Sequence, residues 1–190
     1  MDVKDGKIIH LPEDFVQYLE TVNIFAENMS AKDIGLVDEN DAFPVPGATS
    51  FAIEKILEYV QYHVDAVKAD PKTDVEPWDW DFIEGLPKVQ RVATAEVKDD
   101  AGNVVETRTV TFPDSSMPKV FEILIGADFL GVKPLVTMLC KYVASQITGK
   151  SVEDMRTVLG VVNDFTEKQE KEIKEQYAWA TNHPLRALRR

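Results

Sequence analysis

Apolar side chains recur at three- and four-residue steps through Phe51, Ile53, Ile56, Leu57, Val60 and Val64. That spacing lines one face of a helix. The loop Ala69–Pro77, polar and interrupted by two prolines, stops it. Upstream, Asp5-Gly6 is a turn dipeptide and Lys7–Leu11 reads as the strand that follows. Only four residues precede the turn, so the partner strand of this short hairpin is nearly absent. Pro12 and Glu13 open a helix to about Val22, and a second apolar stretch, Ile24–Met29, leads into the acidic segment Val37–Asp41. Phe43-Pro-Val-Pro-Gly47 is an extended link, because residues before proline avoid the helical region.

After Trp78–Phe82, where packing resumes, the period changes. Lys88–Val97 and Val104–Phe112 are rich in Val and Thr and flank the turn cluster Asp99–Asn103, which predicts a β-hairpin. Both faces are half polar, so register is weakly fixed. With Arg91, Glu96, Glu106 and Arg108 on its strands, it reads as a dispensable surface hairpin; a sheet edge is the alternative. From Asp114 the pattern is helical. Val120, Phe121, Leu124, Ile125 and Leu130 are too dense for a surface helix and predict a buried one. Val132, Val136, Leu139, Val143 and Ile147 form the stripe of the next helix, which Gly149 ends. Ser151 is an N-cap for a short helix to about Leu159, and Thr166 with Gln169 forms a capping box for a last helix to about Tyr177.

The 190 residues allow one domain, with or without an appendage. Hydrophobic residues make up 44% and charged residues 28%, so the chain is globular in composition. The net charge of -12 excludes most nucleic-acid readers, which need a basic footprint, and argues against docking on anionic membrane. The start MDVKDGKIIH holds no apolar signal core, and no run reaches the ~18 apolar residues of a membrane span. The lone Cys140 permits no internal disulfide; within its apolar helix it reads as a buried small hydrophobe. These features suit a cytoplasmic and nuclear protein.

Catalytic chemistry has little support. His10, His63 and His183 are far apart and lack metal-ligand spacing, so each reads as a structural or solvated histidine. The acidic loops lack the alternating pattern of a calcium loop, and the nine glycines form no phosphate loop. No metal, no cofactor and no enzyme activity is expected. More informative are the apolar residues after Gly149: Met155, Leu159, Val161, Val162, Phe165, Ile173, Tyr177 and Trp179, on short capped segments. Short helices rarely hold without tertiary partners. Either these residues pack on the preceding helices, or part of their surface waits for another chain.

These residues resemble the S-phase kinase-associated (Skp) adaptor family of SCF ubiquitin ligases. FEILIGADFLGVKPL leads into CKYVASQITGKSVEDMR and then NDFTEKQEKEIKEQYAW. The family has FELILAANYL, CK-x-VA, I-x-GK-[TS]-x-E-[ED], NDFT and a terminal Trp at the same spacings. FPVPGA stands in place of VPLPNV, YVQYHVD of WCTHHKD, and EPWDWDFI of PVWDQEFL. The ordered set covers about four fifths of the chain and is specific where each piece alone is weak. Departures are the near-missing first strand, the longer region Gly85–Pro113, Asp128-Phe129 for Asn-Tyr, Ala180 for Cys, Arg186–Arg190 for an acidic end, and Glu167 where some members carry proline.

The resemblance implies an α+β fold: a BTB/POZ-type core with a small sheet, followed by additional C-terminal helices, here with an inserted β-hairpin. The expected division is residues 1–68 and 114–148 for the core, 69–113 for the loop and hairpin, 149–180 for F-box-binding helices and 181–190 for a flexible tail. The implied function is a non-catalytic adaptor bridging a cullin, and through it a RING subunit, to F-box substrate receptors. Cullin contact falls on Asp128 and Phe129, although Phe129 on its apolar helix also reads as core. F-box contact falls on Leu139, Val143, Ile147, Met155, Leu159, Val162, Phe165, Ile173, Tyr177 and Trp179, and residues 151–179 are expected to order fully only with that partner. Homodimerisation of the free chain stays open. The alternative is a divergent BTB/POZ adaptor, either resembling elongin C, whose family lacks helices after Gly149, or binding F-boxes without the usual cullin.

Overall fold

The computed structural model describes residues 1–28, 43–45, 47–70 and 72–181. The acidic segment Val37–Asp41 and the tail with His183 lie outside the described residues. The fold is α+β, and the chain divides into two compact units: Met1–Val89 with Asp114–Lys150, and Gln90–Pro113 with Ser151–Arg190.

In the first unit, β1 (Asp2–Val3) pairs in parallel with β2 (Pro44–Val45), Val3 opposite Val45. The expected turn forms at Gly6, whose φ of 71° suits glycine. The Val3 amide donates to the Lys7 carbonyl at 3.2 Å, and the Ile9 amide to the Met1 carbonyl at 2.9 Å. Lys7–Leu11 is nonetheless not a strand beyond a single bridge at Ile8. Too few residues precede the turn to pair with it, and β1 takes its partner from the proline link instead. The Asp5 carboxylate accepts the Ser50 hydroxyl (2.6 Å) and amide (3.1 Å), anchoring the turn to the next helix. The hydroxyl bond is the main cause that holds the Asp5 carboxyl below its usual range.

The single helix expected from Pro12 to Val22 is two. A 3-10 turn spans Glu13–Tyr18, and α1 spans Glu20–Asn28. Leu19 (φ −109°, ψ 89°) breaks the helix, and its side chain is fully buried. α2 (Ser50–Ala69) follows the predicted periodicity; Thr49 caps it, accepting the Ala52 amide at 3.3 Å. Ile53, Ile56 and Val60 on its apolar face are buried. α3 (Glu76–Glu84) buries Phe82 and Ile83 and stacks Trp78 on Tyr62, with centroids 3.9 Å apart. His63 Nε2 lies 2.8 Å from Asp79 Oδ1, a structural pairing between α2 and α3. Burial pushes the Tyr59 hydroxyl well above its ordinary value, with Asp79 adding to the effect.

α4 (Met117–Leu130) packs against α2 and against α5 (Lys133–Ile147). Val120, Ile123, Ala127 and Leu130 are buried at helical spacing. The expectation that the whole helix is buried fails on its other face, where Ile125 is 54% exposed. Four apolar neighbours at i, i+3, i+7 and i+10 fill the core side, and the excess faces out. A Cβ on Gly126 would lie 3.0 Å from Ile56 Cδ1 and 3.1 Å from Ala48 Cβ, so α4 approaches α2 as closely as glycine allows. On α5, Leu135 and Leu139 are buried, with Val136 and Val143 packed beside them. Cys140, expected inside, is exposed. It sits about 100° around the helix from Leu139, off the stripe.

In the second unit, β3 (Val89–Lys98) and β4 (Val104–Ser115) pair around the predicted Asp99–Asn103 turn. Three helices follow, α6 (Val152–Leu159), α7 (Glu167–Gln176) and the short α8 (Ala178–Thr181). Both predicted caps form. Ser151 Oγ accepts the Asp154 amide at 3.1 Å, and Thr166 and Gln169 complete the capping box.

Replacing Gly126 by Val forces a branched side chain into the α2–α4 contact. A loss of about 1–3 kcal/mol is expected, the usual cost of overpacking. Urea denaturation followed by circular dichroism measures it, and an unchanged midpoint would show that the two helices have room to spare.

Candidate partner-binding surfaces

The first surface lies at the C-terminal end of α4. Asp128 and Phe129 are both exposed, Phe129 by 37%, because Ala127 and Leu130 take the core-facing positions on either side. Gly131 ends the helix at φ 76°. A Cβ there would stand 2.7 Å from Glu20 Cβ, so both conformation and space require glycine. This glycine brings α1 against the end of α4. Thr21 Oγ1 then donates to the Phe129 carbonyl at 2.6 Å, and Lys133 pairs with Glu20 at 2.7 Å. One of the carbonyls that a helix end leaves open is thereby satisfied.

The Phe129 ring does not stand alone. Its centroid is 6.2 Å from that of Phe43, which is 5.0 Å from that of Phe25. Both spacings suit aromatic contact. Phe25 and its neighbour Ile24 are exposed, and Ile125 lies one turn before Phe129 on α4. The result is an apolar patch with Asp128 beside it. Sequence reasoning found Asp128 and Phe129 but missed Phe25 and Phe43, which come from segments far apart in the chain. The only sequence signal for them was an apolar excess in segments too short to bury it.

The second surface belongs to the helices after Ser151. Asn163-Asp-Phe-Thr166 is a turn followed by a helix start. Asn163 Oδ1 accepts the Phe165 amide at 3.2 Å, and Thr166 caps α7. This geometry turns Phe165 outward, and it is exposed together with Ile173, Tyr177 and Trp179. Trp179 is 69% exposed. Met155 and Leu159 are half-buried, and Val162 is buried. Of the predicted contact residues in the first unit, Val143 and Ile147 are half-buried and Leu139 is fully buried. Leu139 and Val162 are therefore buried rather than displayed.

The hairpin is not an isolated surface feature. Arg108 Nη1 donates to the carbonyls of Asn163 (3.0 Å) and Phe165 (3.1 Å), and Arg91 Nη1 to that of Leu159 (3.4 Å). At the turn, Asp100 accepts Lys168 Nζ at 2.6 Å and Gln169 Nε2 at 3.1 Å. The reading of the hairpin as a dispensable appendage is corrected by these bonds. Its charged residues kept it out of any core, but their donors and acceptors meet open backbone groups of the helical segment. The hairpin thereby supplies α6, α7 and the link between them with contacts that short helices lack by themselves. Among the described residues, no group of three or more His, Cys, Asp or Glu could hold a metal ion, and no helix is long and apolar enough to cross a membrane.

The architecture defines a class: an α+β core of BTB/POZ type carrying an exposed aromatic patch, continued by short capped helices that display apolar side chains. Comparisons with known proteins agree. Residues 133–180 match the model of the Skp1 family, dimerisation domain. The chain is 28% identical over 188 residues to the SCF ubiquitin ligase complex protein SKP1b of Dictyostelium discoideum, covering 94% of this chain and 93% of the relative. It is 28% identical over 188 residues to the E3 ubiquitin ligase complex SCF subunit sconC of Emericella nidulans, covering 95% and 94%. It is 27% identical over 180 residues to the Suppressor of kinetochore protein 1 of Schizosaccharomyces pombe, covering 88% and 91%. The chain is thus similar to the Skp1 family over residues 133–180 and to these SCF subunits along most of its length.

The Lys168 ammonium, then the Gln169 amide, hold the Asp100 carboxyl below its usual range. A depressed carboxyl pKa means that the contact contributes fully above the ordinary carboxylate range and is lost as pH falls through the lowered value. Lys168→Met is expected to raise the Asp100 midpoint towards the ordinary aspartate range, read by carboxyl-carbon NMR titration. An Asp100 midpoint equal in both proteins would contradict the contact.

Proposed function

We propose that this protein is a non-catalytic adaptor of an SCF-type ubiquitin ligase. Its core holds a cullin, and through it a RING subunit, while its C-terminal helices hold F-box substrate receptors. The observation that carries the reading is the display of Phe165, Ile173, Tyr177 and Trp179 by the segment that matches the family model. Large aromatic side chains left in water at the end of a well-capped helical segment are typical interface anchors. An adaptor of this kind contributes by holding partners in fixed relation, which raises effective concentration without any chemistry of its own. When no F-box protein is bound, the same apolar surface serves a second copy of the chain. Action in cytoplasm and nucleus belongs to the same proposal.

The cullin side rests on the Phe25–Phe43–Phe129 patch with Asp128 at its margin. Asp128-Phe129 differs from the family's Asn-Tyr pair, and this favours a second reading in which F-boxes are bound without the usual cullin. An adaptor resembling elongin C is disfavoured, because α6, α7 and α8 are present.

Affinity purification from the native cell tests the proposal: F-box proteins and a cullin are expected to co-elute. F-box proteins without a cullin would select the second reading, and neither partner would sink both. With purified components, Trp179→Ala is expected to weaken F-box binding by about 2 kcal/mol, a usual hot-spot loss, while cullin binding persists. The double variant Asp128→Lys/Phe129→Lys is expected to abolish cullin binding and spare the F-box, both read by calorimetry. Equal loss of the two partners would point to misfolding.

A further inference from the structure

The structure gives the hairpin region Gly85–Pro113 a task. The segment from α6 to α7 has two weak points. α6 has only eight residues, and its C-terminal cap satisfies the carbonyls of Arg156 and Thr157 but not that of Leu159. The link that follows exposes the carbonyls of Asn163 and Phe165, which no helix satisfies. Arg91 reaches the first and Arg108 the second.

The arrangement around Arg108 is directional. Its Nε and Nη2 are held by the Glu106 carboxylate at 2.9 and 2.7 Å. That leaves Nη1 aimed at the two link carbonyls. Only a planar fork can bind a carboxylate on one edge and carbonyls on the other; a lysine ammonium lacks the second edge. Arg91 makes room for itself through Gly160, where a Cβ would lie 3.0 Å from Arg91 Cδ. Gly160 has φ 65° and caps α6, so the same glycine ends the helix and admits the arginine. Lys168 and Gln169, in the first turn of α7, bind Asp100 at the hairpin tip. The hairpin thus holds the end of α6, the link and the start of α7 along its length.

We infer that the hairpin Gln90–Pro113 is a built-in clamp that preorganises the partner-binding segment Ser151–Tyr177, with Arg108 and Arg91 as positioning residues. The inference rests on the reading of that segment as the F-box surface. The two arginines act on the backbone that sets the direction of Phe165 and the start of α7. A segment already ordered loses less conformational entropy on binding, so its partner binds more tightly for the same contacts.

Hydrogen exchange of the free full-length chain, followed by binding to a recombinant F-box domain, tests the clamp. In the Arg91→Ala/Arg108→Ala variant, amides from Val161 to Thr166 are expected to exchange at least about tenfold faster, while α4 and α5 keep their protection. The milder Arg108→Lys and Glu106→Gln variants are expected to show the same local change to a lesser degree, and they decide the matter should the double variant fail to fold. F-box affinity is expected to fall about tenfold, mainly through a slower on-rate, because the competent segment is less populated. Unchanged exchange at the link overturns the clamp. Faster exchange with unchanged affinity overturns its role in binding. If the wild type binds no F-box domain, the proposed function fails, and the exchange data still decide the clamp.

Discussion

The close approach of α2 and α4 organises the first unit. At Gly126 the helices come as near as a missing side chain permits, and Ala48 and Ala52 keep the facing surface small. Small residues at this point let the larger Ile53, Ile56, Ile123 and Leu130 all reach full burial. Removing such side chains from water contributes roughly 1.5–3 kcal/mol each. The same contact fixes the rotation of α4 about its axis. Once Val120, Ile123, Ala127 and Leu130 face inward, Ile125 and Phe129 have no choice but to face out. The aromatic patch is therefore a consequence of core packing, stabilised by the turn at Gly131 and the bond from Thr21 to the Phe129 carbonyl.

The second unit follows a different logic. Few of its apolar side chains are buried: Val97, Phe112 and Val162 among the described residues. Its order depends more on directional bonds, namely helix caps, an Asx turn, and side chains of the hairpin reaching backbone carbonyls. Such bonds individually contribute about 0.5–1.5 kcal/mol. They position a chain well without hiding its apolar groups. A binding segment needs both properties, since groups used to build its own core cannot be offered to a partner. Leaving Tyr177 and Trp179 in water is compatible with a formed α7 only because its capping box and the hairpin do the holding.

The first unit depends on burial, the second on caps and bonds, and the two respond to different perturbations. Acid weakens the second through carboxylates that Arg108, Lys168 and Lys174 hold below their usual range, Glu106, Asp100 and Glu170. Core substitutions weaken the first.

The sequence by itself determined the local elements. The 3.6-residue period of α2, the Ser151 cap, the Thr166–Gln169 box and the Val/Thr strands around Asp99–Asn103 were all legible, because they depend on neighbours within a few positions. The ordered motifs also carried the resemblance to the Skp family. What the sequence left undetermined depends on which way a helix is rotated and on what lies across from it. Leu19 breaks a predicted helix to reach the core, Cys140 faces out one step beyond Leu139, and β1 takes its partner from beyond residue 43. Phe25 and Phe43 join Phe129 although they are distant in the chain. Arg91 and Arg108 looked like solvated charges on a spare hairpin, since a guanidinium pattern does not reveal which backbone carbonyl it will meet. Local periodicity and capping are short-range properties of the chain; the direction of a face and the partner of a donor are decided only when tertiary contacts close.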